Sequence, residues 1–83
     1  MPTVAIVNGV KIQFYRDEHP PEHFHARVAE YTAQIEIGTL QILKGSLPRS
    51  KLKDVTDWAG GRKPELKAAW AAMRSGNKPG KIV

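Results

Sequence analysis

The chain has 83 residues, no cysteine and a formal net charge of +5, with 41% hydrophobic and 25% charged residues. That length holds one domain, which excludes dinucleotide-binding and barrel enzyme folds, and the missing cysteines exclude disulfides and thiolate zinc sites. A chain of this size buries only about 63% of its unfolded surface, enough for one thin core.

The charge is unevenly spread. Residues 1–45 hold four basic side chains against five acidic ones, and residues 46–83 hold nine against three. A basic C-terminal half attracts phosphates or an acidic partner, and it also serves simply as a solubilising surface. The N-terminus lacks the charged region and apolar run of a secretory signal, and nothing approaches a membrane span. A cytoplasmic location with no membrane association is the expectation.

In chain order, Thr3–Val7 and Val10–Tyr15 flank Asn8-Gly9, a strong signal for a two-residue hairpin. Val10, Ile12 and Phe14 alternate with Lys11, Gln13 and Tyr15, as a half-buried strand requires. Arg16 to Phe24, with Pro20-Pro21, reads as a loop. Alternation resumes from His25 through Tyr31 and continues at Ala33, Ile35 and Ile37. Gly38-Thr39 marks a turn, and Leu40, Ile42 and Leu43 form a strand ending at Gly45. The period then changes. Ser50 is placed to cap a helix carrying Leu52, Val55, Trp58 and Ala59, which Gly60-Gly61 stops. Pro64 suits the first turn of a second helix, whose Leu66, Ala69, Trp70 and Met73 share one face. Ser75-Gly76-Asn77 ends it, and Ile82 and Val83 are placed to dock. The predicted fold is α+β: an antiparallel meander of four to five strands, then a helix pair packed on one sheet face. It forms a single domain over 1–83, with a strand-rich half (1–45), a helix pair (46–76) and a tail (77–83).

All three histidines lie within the seven residues from His19 to His25. In an extended segment His23 and His25 share a side, Arg27 continues it, and so do Ala29 and Tyr31; Phe24 points into the core. Three readings stay open. One is a divalent transition-metal site, with His23 and His25 as ligands and His19, Glu18 or Glu22 completing the shell. The second is metal-independent acid–base cleavage of RNA, with His23 and His25 exchanging protons and Arg27 stabilising developing charge. In the third, the rings cap strand ends and hydrogen-bond the loop.

Other signatures are missing. Gly60-Gly61 lacks the spacing of a phosphate loop, there is no nucleophile elbow, and no helix-turn-helix is convincing. Arg49, Lys51, Lys53, Arg62, Lys63 and Lys67 are the candidates for a phosphate- or partner-facing patch across the two helices.

Met1-Pro2-Thr3, Phe14-Tyr15, the His-x-Pro-x-His-Phe-His run, Glu30-Tyr31, Gly45-x-Leu47-Pro48, Trp58-Ala59, and Glu65-Leu66 with Trp70 together resemble a small bacterial family, domain of unknown function 4160. The resemblance covers nearly the whole chain. Glu18 stands where that family often has Asp, Glu22 replaces its second signature proline, and Ala29 replaces the usual Gly before Glu30. The resemblance implies one member of a toxin–antitoxin-like pair. The basic helices would then meet a small protein partner, RNA or DNA, and the histidines would be connected with ribonuclease action. The leading expectation is such an interaction module, beside the ribonuclease-like and metal-binding alternatives.

Overall fold

The computed structural model describes residues 2–82. Five strands, β1 (Thr3–Val7), β2 (Val10–Gln13), β3 (His23–Val28), β4 (Tyr31–Glu36) and β5 (Ile42–Gly45), precede two helices, α1 (Arg49–Gly60) and α2 (Lys63–Arg74). The strands pair in the order β1-β2-β3-β4-β5, each antiparallel to the next. This is the α+β meander and helix pair that the change of period predicts.

The Asn8-Gly9 turn has φ of 48° and 81°, so both central residues are left-handed. Asparagine and glycine tolerate that region, which is why the dipeptide sets the Val7↔Val10 register. The next hairpin departs from the sequence reading. Alternation from His25 to Tyr31 suggested one continuous strand, but the chain reverses at Ala29-Glu30, pairing Val28 with Tyr31. Ala29 takes φ 51° there, without any of the usual turn residues. The reversal puts Tyr31 out of phase with Arg27, so it does not share the histidine side. β3 also starts two residues earlier than expected, at His23.

Cross-strand pairing defines the two faces. Ile12, Ala26 and Ala33 are successive partners and all buried, as are Phe24 and Ile35. Val55 and Ala59 of α1, Leu66, Ala69 and Trp70 of α2, and Leu47 complete the same core. The helix faces read from the 3.6-residue period are therefore the buried ones. On the other face Lys11, Arg27 and Thr32 line up in the open.

Ser50 is not the cap of α1. The helix begins at Arg49 with Pro48 at the cap position (φ −54°, ψ 143°) and no side-chain cap bond. Leu47 is buried immediately before it, and the Pro48 carbonyl already accepts the Leu52 N–H at 2.9 Å. The ring's preset φ starts the helix before Ser50 can act. Both helices are tied to sheet turns. Lys51 Nζ donates to the Asn8 carbonyl at 2.8 Å, Asn8 Nδ2 donates to the Asp54 carboxylate, and Lys63 Nζ donates to the Gly38 carbonyl at 2.8 Å. In the tail, Ile82 is buried and its N–H donates to the Val4 carbonyl at 2.7 Å; Val83 lies outside the described residues. No helix is long and apolar enough to cross a membrane.

Candidate metal centre

His23 opens β3 and His25 follows two residues later, so both side chains leave the strand on one side while Phe24 enters the core. The preceding loop folds back over them. Tyr15 stacks on the His25 ring at 3.9 Å, and Asp17, left-handed at φ 59°, turns the chain so that Glu18 meets the pair. From the other half of the molecule, Trp70 of α2 lies against the His23 ring at 5.1 Å. The local segment, with Tyr15 at its start, and one distant aromatic group, Trp70, thus enclose the imidazoles.

Hydrogen bonding assigns the protons. His23 Nδ1 lies 2.8 Å from the Pro21 carbonyl, which only accepts, so Nδ1 carries the hydrogen. In the neutral ring Nε2 is then a bare acceptor. It is buried and has no hydrogen-bond partner, and Glu18 Oε1 stands 3.6 Å away. His25 Nε2 lies 2.5 Å from the same Oε1 and donates to it. Burial holds the His25 pKa below its ordinary 6.5, outweighing the hydrogen bond and charge of Glu18, which act the other way.

Glu18, His23 and His25 therefore present one carboxylate oxygen and two imidazole nitrogens within 4.8 Å of one another. Two ligands of a tetrahedral ion bonded at about 2.1 Å stand about 3.4 Å apart. The 3.6 Å pair already fits that spacing, whereas the 2.5 Å pair would have to open by about 1 Å, with His25 Nε2 giving up its hydrogen, to hold one ion. The bond from His23 Nδ1 to the Pro21 carbonyl is of the kind that orients a ligating histidine.

The remaining sequence candidates fall elsewhere. His19 is exposed and lines a shallow cleft of about 240 Å³ with Asp17, Glu18, Met73 and Arg74; it is outside the three-ligand group. Glu22 contributes its carbonyl, which accepts the Ile37 N–H at 2.9 Å. Arg27 is exposed between Lys11 and Thr32, two residues past His25 along β3. Among the basic candidates, Lys51 and Lys63 bind turn carbonyls, Lys53 pairs with Asp57 at 2.7 Å, and Arg62 reaches the Gly61 carbonyl at 3.2 Å. Arg49 and Lys67 stand exposed on the helices. Tyr15, Trp70 and the Pro21 carbonyl were not among the sequence candidates. Only Tyr15 carried any signal, through its place beside the loop; Trp70 lies 47 positions beyond His23 and is brought there by the packing of α2.

No curated protein and no solved structure matches the chain. A family match does extend from the β1–β2 turn into α2, covering every residue of the Glu18, His23 and His25 group together with Tyr15 and Trp70. Spanning residues 9–71, that match shows that the chain belongs to the family described as Domain of unknown function (DUF4160).

Proposed function

We propose that this protein binds a divalent transition-metal ion of the zinc, nickel or iron class through Glu18, His23 and His25. The observation that carries the reading is His23 Nε2, a buried acceptor with no donor, facing a carboxylate oxygen at 3.6 Å. Two electron-rich atoms at that distance call for a cation between them, and a buried polar atom left alone costs about 1–3 kcal/mol. Two imidazoles and one carboxylate leave coordination positions open, the pattern of sites that activate water or bind a further ligand. The same features weigh against a metal-free acid–base pair. A general base must reach its substrate, while His23 is 4% exposed and sealed by Trp70.

The test is to purify the protein without a histidine tag, strip it with chelator, and titrate it calorimetrically with zinc and with cobalt. Cobalt absorption bands also report the donor set. One equivalent should bind, and His23→Ala, His25→Ala and Glu18→Gln should each weaken binding at least about tenfold. His19→Ala should bind as the parent does. Unchanged binding in the folded His23→Ala and His25→Ala variants defeats the reading.

A second reading keeps the basic half as a partner-binding surface, as the family resemblance to toxin–antitoxin-like pairs implies. Its support is the exposure of Arg49 and Lys67 on the helices that carry most of the positive charge. The two readings use different surfaces and do not compete.

A further inference from the structure

β1 is an edge of the sheet, guarded only by a register irregularity between Thr3 and Ala5 and by the tail at Val4. Thr3–Val7 contains no charge and no proline, whereas the opposite edge, β5, is four residues long and carries Lys44. Exposed apolar edges either aggregate or receive another chain. Along β1 runs a groove of about 640 Å³ whose walls are the whole strand, Trp58 of α1 and Ile82 of the tail. Ile6 is 66% exposed there. The Val4 carbonyl already accepts the Ile82 N–H at 2.7 Å, so the edge accommodates an extended chain at one end. Among the described residues the tail makes no further backbone bond to β1.

The charges at the groove decide what fits. Lys11 and Lys81 line it, no acidic residue does, and neither ammonium has a partner among the described residues. A second copy of the chain would bring its own lysines to the same edge against a net charge of +5 on each molecule. We propose that the β1 edge docks an extended acidic peptide segment of a partner protein, added as a sixth strand. Main-chain hydrogen bonds to β1 give affinity, apolar side chains on one face of the added strand meet Trp58, and carboxylates on the other meet Lys11, the cross-strand partner of Ile6, with Lys81 adding positive charge at the tail end of the groove.

The experiment is an amide NMR titration of the whole chain with a capped Glu-Val-Glu-Ile-Glu-Val peptide, and with its lysine counterpart Lys-Val-Lys-Ile-Lys-Val. The acidic peptide should shift amides of Thr3–Val7, Lys11 and Lys81, bind at least tenfold more tightly than the basic one, and do so with or without chelator. The K11E/K81E double variant should invert the preference. Both side chains are exposed, and the wild-type comparison of the two peptides stands even if that variant misfolds. No shift along β1, equal binding of both peptides, or self-association through β1 seen by sedimentation would each overturn the proposal.

Discussion

His25 shows how one side chain couples site chemistry to stability. Burial keeps its folded pKa below 6.5, so in metal-free protein the unfolded chain takes up a proton before the folded one does. This contribution is fully present above the unfolded value and is lost as pH falls below about 6.5 toward the folded pKa. The melting temperature of chelator-treated protein should drop on acidification through that range, and His25→Asn should flatten the slope. A melting curve equally steep in the variant would place the titration elsewhere. His23 makes a different point. Its Nδ1 bond to Pro21 leaves Nε2 as the acceptor, a local arrangement that nevertheless matters only because Trp70 and Glu18 close over it.

At the scale of the elements, two turns carry opposite predictions. Ala29 holds φ 51° in the β3–β4 hairpin, a region that costs a non-glycine residue about 1 kcal/mol or more. Ala29→Gly should therefore raise stability by about 0.5–1 kcal/mol in denaturant titrations, net of the extra freedom it gives the unfolded chain. Gly45 is the reverse case: its φ is 83° and an added Cβ would sit 2.1 Å from the Thr32 carbonyl oxygen. Gly45→Ala should cost at least about 2 kcal/mol, because backbone must move as well as adopt a strained angle. The same turns explain what was legible. Asn8-Gly9 announces its hairpin because the residues that tolerate left-handed angles are present. The Ala29-Glu30 reversal is silent because alanine gives no such sign, and tertiary pairing of β3 with β4 holds it there. The helix faces were legible from periodicity, whereas the start of α1 shifted because a buried Leu47 and Pro48 overrode the Ser50 signal.

For the whole molecule, a single thin core limits tolerance. A chain of 83 residues has a total stability of roughly 4–12 kcal/mol. Phe24 is fully buried on the core side of β3, opposite His23 and His25, so Phe24→Ala should cost about 3–5 kcal/mol. Much of the molecule should then be unfolded at 37 °C by circular dichroism, with the proposed metal binding lost alongside. The charge separation acts at this scale too. If the helical half meets RNA or an acidic protein, affinity should fall about tenfold or more between 50 and 200 mM salt, as counterions or screened pairs dictate. Binding that is flat across that range would remove the electrostatic reading.

By itself the sequence determined the class of fold, the buried faces of both helices, the first hairpin and the neighbourhood of the site. Each rests on local chemistry: residue periodicity, turn residues with permitted angles, and three histidines within one short segment. Only the tertiary structure decided which groups converge. Glu18 and His25 meet because the loop doubles back, Trp70 seals His23 because α2 packs near the start of β3, and His19 stays at the rim although it is adjacent to Glu18 in sequence. The basic half was legible as an excess of charge, but not that Lys51 and Lys63 hold the helices to sheet turns. Charge is a property of composition. Convergence depends on contacts between distant segments, and only the packed chain makes them.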